Sequence, residues 1–177
     1  MNADRLARLF ARVRDVPDFP KPGILFRDIT PLVADPSAFR EVIMLLAERI
    51  GRHEPTTLAA IEARGFVFGA ALAMELGLPL ELIRKPGKLP WQTVGVDYAL
   101  EYGNGRLEMH RDAVTTEARV AIVDDLLATG GTVVAAVQLV QALGAQVSCV
   151  AAPIELRSLG ARARLDGIAV ESLLVYP

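Results

Sequence analysis

Val120-Ala121-Ile122-Val123-Asp124-Asp125-Leu126-Leu127-Ala128-Thr129-Gly130-Gly131-Thr132 is the stretch on which the fold turns. Its first four residues are apolar and rich in β-branching, as in a parallel strand buried on both faces. Two carboxylates follow at the strand's carboxyl end, the edge where open α/β sheets bind ligands. Residues 128–132 are small, hydroxylated and glycine-rich, and a helical pattern over 133–143 begins directly after them. Such a loop can turn successive N–H groups inward as an anion nest, with the positive end of the helix dipole behind them. A phosphate fits that nest. Asp124 and Asp125 would repel it unless they faced hydroxyls or a cation, and a phosphorylated sugar meets both demands, its vicinal hydroxyls donating to the acid pair. The nucleotide P-loop is excluded because no lysine follows the second glycine, and the G-x-G-x-x-G spacing is also absent.

Working outward, residues 58–62 read as the first core strand, which delivers Ala63-Arg64-Gly65 to the same sheet edge before a helix over 66–76 closed by Gly77. A guanidinium there can fork onto a pyrophosphate, and Gly65 allows close backbone approach. Residues 80–83 form the next strand. Arg84, Lys85 and Lys88 emerge from it on that edge, where three cations in five residues suit a polyanion. Two runs at 97–102 and 106–110 flank a Gly103-Asn104-Gly105 turn and read as a hairpin projecting from the sheet. A strand over 146–154 and an alternating edge strand over 168–176 complete the pattern. Ahead of the core, residues 5–13 suggest a short amphipathic helix, and Ser37 caps a helix ending near Gly51. The proline-rich segment 16–31 reads as an ordered extended loop, within which 24–29 is either an edge strand covering the core or a binding segment. Strands alternating with helices predict an α/β fold: a mostly parallel twisted sheet covered on both faces, with a small hood and a mobile hairpin, in a single domain over 1–177.

Composition excludes several classes of function. The 177 residues carry 19 basic and 21 acidic side chains, a formal charge of −2, so no global positive field draws the chain to nucleic acid or membrane. The longest apolar stretch, 66–74, is far short of the ~20 residues a spanning helix needs. The first residues alternate charge with apolar side chains instead of leading into a signal-peptide core, so the expected location is the cytoplasm. Cys149 reads as a small buried hydrophobe, and His53 and His110 make no zinc-type spacing.

The run Ile122-Val123-Asp124-Asp125-Leu126-Leu127-Ala128-Thr129-Gly130-Gly131-Thr132 resembles the phosphoribosyl-pyrophosphate (PRPP) motif of type I phosphoribosyltransferases, in the form found in the family's adenine branch. The resemblance covers almost the whole chain from Pro17 to Leu174. It implies the family fold and transfer of a 5-phosphoribosyl group from PRPP to adenine, with Mg²⁺ bound through PRPP, no direct protein ligands to the metal, and a homodimer. Asp124, Asp125, Ala128, Thr129, Gly130, Gly131 and Thr132 would then hold the ribose and its phosphate. Arg64, Arg84, Lys85 and Lys88 would hold pyrophosphate, with Arg84 a candidate to reach the neighbouring subunit. Pro22-Gly23-Ile24-Leu25-Phe26-Arg27-Asp28-Ile29 is similar to the family's adenine segment, which makes Leu25, Phe26 and Arg27 lining residues, and the Leu159 segment would close that pocket. Leu100-Glu101-Tyr102-Gly103 matches the hood over the site. Glu101 thereby becomes the carboxylate near adenine N7, catalytic together with Asp125 and Arg64. The family's arginine turn further implies a non-proline cis bond between Ala63 and Arg64. Two alternatives share the sugar site: a hypoxanthine, guanine or xanthine phosphoribosyltransferase, and a PRPP-sensing regulator without chemistry. The second would need a nucleic-acid-binding module or basic face that the sequence lacks.

Overall fold

The computed structural model describes residues 3–99 and 104–177. In chain order the first half comprises α1 (Ala3–Phe10), β1 (Arg14–Pro17), β2 (Leu25–Asp28), α2 (Thr30–Ala34), α3 (Pro36–Gly51), β3 (Thr57–Ile61), α4 (Gly65–Leu76) and β4 (Leu80–Ile83). The second comprises β5 (Thr93–Ala99), β6 (Asn104–His110), β7 (Arg119–Val123), β8 (Leu126–Leu127), α5 (Gly131–Ala142), β9 (Gln146–Leu156) and β10 (Val170–Tyr176), with 3-10 turns at Arg157–Leu159 and Ala161–Arg164. Five strands form a parallel sheet in the order β10-β9-β7-β3-β4, and β8 adds a further parallel pairing to β9.

Burial on both faces explains the apolar runs. Along β7, Ala121 and Val123 point into one core and Val120 and Ile122 into the other; β9 divides Cys149 and Ala151 from Val150 and Ala152 in the same way. The first core is filled by side chains of α1, α3 and α4, among them Leu9, Leu46, Phe68 and Leu72. The second is filled by α5, with Val133, Leu139 and Val140, and by Leu107 and Met109 of β6. Period-two alternation in the strands thus feeds two cores instead of one core and solvent.

The chain leaves β3 for β4 on one side and returns through β7 to the other side of β3. The reversal opens a crevice beyond the carboxyl ends of β3 and β7, the position where open α/β sheets bind ligands. Close packing of α4 onto β3 is needed to keep that edge in place. A Cβ built on Gly69 would lie 2.5 Å from the Ala60 Cβ. Replacing glycine by alanine in a helix gains roughly 1 kcal/mol in propensity, but overpacking against a strand that cannot swing aside costs about 1–3 kcal/mol. Gly69→Ala is therefore expected to lower the thermal midpoint, by about 2–4 °C for each net kcal/mol lost in a chain of this size; thermal denaturation followed by circular dichroism measures it.

Several local expectations are corrected. The α3 cap is Asp35, whose carboxylate accepts from the N–H groups of Ser37 at 3.0 Å and Ala38 at 3.1 Å. Pro36 occupies the first helical position because it has no N–H to leave unpaired, which moves the cap ahead of Ser37. The segment 16–31 is not a plain loop: β1 and β2 pair antiparallel, Val16 opposite Phe26, and the short α2 follows with Pro31 at its start. Asn104 and Gly105 lie inside β6, paired with Ala99 and Tyr98, because the Tyr98 ring crosses the bare Cα of Gly105. The non-proline cis bond joins Glu62 to Ala63, not Ala63 to Arg64. Arg64 already has helical φ and ψ of −71° and −29°, and the Ala63 carbonyl accepts from the Phe66 N–H, so the chain reverses one residue earlier.

Candidate active site

Three strands that end at the crevice supply its charged groups. β7 delivers Asp124 and Asp125, β3 delivers Glu62, Ala63 and Arg64, and the loop after β4 delivers Lys85. Together with Ile61, Tyr98, Leu107, Leu126 and Thr132 they line a cleft of ≈ 480 Å³. A second hollow of ≈ 70 Å³ adjoins it, sharing Asp124, Leu126 and Thr132 and continuing through Ala128, Thr129, Gly130 and Gly131. Gly130 has φ +82°, and the helix α5 starts at Gly131, so the loop turns directly onto a helix amino terminus. The small hollow is phosphate-sized and is bordered by backbone donors of the nest type.

Close approach at the switch point depends on Gly65. A Cβ there would sit 3.1 Å from both the Val123 carbonyl and Asp124 Oδ1. With hydrogen in its place, Arg64 reaches across, and its Nε lies 2.8 Å from Asp125 Oδ2. The same guanidinium stands 5.2 Å from the centre of the Phe26 ring, linking the acid pair to the β1–β2 segment. Asp124 Oδ1 accepts from the Asp125 N–H at 2.8 Å.

Burial, reinforced by the neighbouring Asp125 charge, pushes the Asp124 carboxyl well above the ordinary carboxylate range. Asp125 is raised as well, by burial, against the opposing pull of Arg64. Two acids this close titrate as a pair. Hydrogen-bond donors or cations arriving at the pair would favour its ionised form. A sugar with vicinal hydroxyls supplies donors, and its phosphate would occupy the adjoining nest.

The structure brings Arg64, Lys85, Asp124, Asp125 and Thr132 into one cleft and sets Ala128, Thr129, Gly130 and Gly131 around the hollow beside it. Arg84 is otherwise engaged: its Nε is 2.7 Å from Glu62 Oε2 and one terminal nitrogen donates to the Lys88 carbonyl at 2.9 Å, both in its own chain. Lys88 is exposed in the same loop. The Arg27 side chain pairs with Asp15 and lies 4.0 Å over the Tyr176 ring, and it is not among the residues lining the cleft or the hollow. Leu25 and Leu159 are both 46% exposed apolar side chains. Glu101 and the rest of Leu100-Glu101-Tyr102-Gly103 lie outside the described residues. Sequence reasoning passed over Glu62 and Tyr98. Glu62 carried the same signal as Asp124, a carboxylate where a buried strand ends, but reads equally well as the strand's last residue.

A parallel sheet with an acid pair and an anion nest at its switch point defines a phosphoribosyl transferase domain, and the family model of that domain matches residues 29–161. An adenine phosphoribosyltransferase of Methylococcus capsulatus is 54% identical over 169 residues, covering 96% of this chain and 99% of its own. The crystal structure of the adenine phosphoribosyltransferase of Thermoanaerobacter pseudethanolicus superposes with a TM-score of 0.94 at 47% identity, covering 97% of this chain and 99% of the other. That of Saccharomyces cerevisiae, complexed with adenine and an imino-altritol bisphosphate, gives 0.90 at 34% identity over 98% and 100%. The chain belongs to the adenine phosphoribosyltransferase family.

Proposed function

We propose that this protein transfers the 5-phosphoribosyl group of PRPP to adenine, giving AMP and pyrophosphate, a purine-salvage reaction. The observation that carries the reading is the meeting of an acid pair, an anion nest and cationic side chains at one switch point. In the reaction the bond from ribose C1 to pyrophosphate breaks, a bond from C1 to adenine N9 forms, and the N9 proton leaves. Asp124 and Asp125 accept hydrogen bonds from the ribose hydroxyls and hold negative potential beside a C1 that becomes oxocarbenium-like. The N–H groups of Ala128 through Thr132 cradle the 5′-phosphate. Arg64 and Lys85, with Arg84 and Lys88 from the same loop, neutralise the departing pyrophosphate. For Arg84 this requires exchange of its Glu62 partner for the phosphate.

The base lies between the Leu25, Phe26 and Arg27 segment and Leu159, where extended backbone offers a donor and an acceptor to the purine edge. Glu101, by the family match of its segment, assists loss of the N9 proton by polarising the ring at N7. By the family resemblance, Mg²⁺ would arrive on the oxygens of PRPP, where it would supply charge neutralisation. The family resemblance supports a homodimer, and among the described residues no helix is long and apolar enough to cross a membrane.

PRPP-dependent conversion of radiolabelled adenine, with hypoxanthine and guanine as controls, tests the reading. Adenine is expected to react at least about 10²-fold faster, because a 6-oxo group leaves polar atoms of the base site unpaired. Comparable rates for the oxo-purines would make it a different purine phosphoribosyltransferase, and no turnover with any base would favour a PRPP-sensing protein.

A further inference from the structure

Glu155 is a charged residue that lines neither the cleft nor the phosphate-sized hollow, yet it is only 2% exposed. Arg162 grips it with a fork: Nε donates to Oε1 at 2.7 Å and a terminal nitrogen to Oε2 at 2.8 Å. Ser172 also donates to Oε2, and the guanidinium reaches Ser172 Oγ at 3.1 Å and the Val170 carbonyl at 3.2 Å. The carboxylate is buried but the Arg162 side chain is 46% exposed, and an ion pair open to water on one side contributes little net stability. These contacts act chiefly by placing the elements that carry them.

What they place is visible in the register. Glu155 lies in β9 opposite Leu127 of β8, the residue directly before the nest. Arg162 lies in the 3-10 turn Ala161–Arg164, which backs the nest from the other side. A Cβ built on Gly130 would lie 3.2 Å from both Cα and Cβ of Ala161, and Arg164 donates to the Thr129 carbonyl at 3.3 Å. One buried carboxylate therefore ties the strand that enters the loop to the turn that supports it.

We propose that Glu155 and Arg162 are positioning residues: their fork holds the Ala161–Arg164 turn against Thr129 and Gly130 and so presets the nest for the 5′-phosphate, acting on the PRPP half of the site and not on the base half. The inference rests on the reading that residues 128–132 hold that phosphate. The hydrogen bonds from Arg162 hold the Glu155 carboxyl below its usual range, which favours the charged fork.

Glu155→Gln and Arg162→Lys separate this role from plain stability. In Glu155→Gln, KM for PRPP and the calorimetric Kd for ribose 5-phosphate are expected to rise about tenfold, the scale of loss when a binding group is misplaced by a fraction of an ångström. KM for adenine and kcat should stay within about twofold. Arg162→Lys, which keeps the charge but not the fork, is expected to fall between this variant and the parent. An unchanged PRPP KM in a folded Glu155→Gln protein overturns the proposal, as does an equal rise in both KM values. Should Glu155→Gln not fold, Arg162→Lys decides by the same criteria. Gly130→Ala serves as the reference: a raised PRPP KM there with none in the fork variants sinks the fork alone, whereas no change in any of the three sinks the phosphate assignment with it.

Discussion

Asp125→Asn is expected to lower kcat about 10²–10³-fold while the protein stays folded, a loss on the scale seen when one preorganised electrostatic group is removed from a reacting centre. Asparagine has the same shape and can occupy the same buried position, 6% exposed in the parent. It cannot carry negative charge to the face of the ribose, and its amide nitrogen presents a donor where a hydroxyl also donates. PRPP binding should suffer less than turnover, because the loss falls where positive charge develops and not on the bound ground state.

The same substitution has a consequence for stability, of the opposite sign. Asp124 and Asp125 both have carboxyls raised by burial. An acid whose pKa is higher folded than unfolded contributes stability that is complete below its unfolded value and is lost as pH rises through the folded one. At neutral pH the ligand-free protein therefore bears the cost of ionising a buried pair. Neutralising one member removes part of that cost. Asp124→Asn is expected to raise the Tm of the ligand-free protein at neutral pH, and Asp125→Asn not to lower it. Steady-state kinetics and calorimetry on the two variants measure both effects. Turnover of Asp125→Asn within fivefold of the parent, or inactivity accompanied by a lowered Tm, would remove the assigned role. Activity traded against stability at a strained site is the usual pattern in enzymes.

The acid pair and the nest are local in the sequence, whereas their partners are not. The β7 run was legible because burial on both faces demands continuous apolar side chains, and the nest because its chemistry is confined to five adjacent residues, 128–132. The strand β8 was not legible: Leu126 and Leu127 are too few to show a period, and they become a strand only by pairing with Ile154 and Glu155. Arg84 looked like a free cation because its partner, Glu62, stands 22 residues earlier in the chain. Arg27 lies in a segment similar to a family motif, and nothing in the motif disclosed that its side chain would lie over Tyr176. The Glu155 fork escaped for the same reason, since each of its partners is ordinary in isolation and only tertiary structure makes the set. Local chemistry was therefore readable, and pairings across elements were not.

Arg64→Ala is expected to lower kcat/KM for PRPP about 10²–10³-fold, because the proposed reaction places this guanidinium on the departing charge, where a preorganised cation is worth that much. The pH profile distinguishes this role from a general weakening. Arg64 lies 2.8 Å from Asp125, and its charge pulls both Asp124 and Asp125 downward against the burial that raises them. Without it both carboxyls rise further. If the ionised pair grips the ribose, activity falls as pH drops through the pair's titration, so the acid limb of kcat/KM must move to higher pH in the variant. Arg64→Lys restores the charge but neither the planar fork nor the stacking 5.2 Å from Phe26. It should therefore return the acid limb most of the way while recovering only part of the rate. KM for adenine should also rise in Arg64→Ala, since Phe26 loses the cation that its ring packs against. An acid limb that stays where it is, with the rate lost all the same, would mean that Arg64 acts on pyrophosphate alone and that the acid pair is tuned by burial without it.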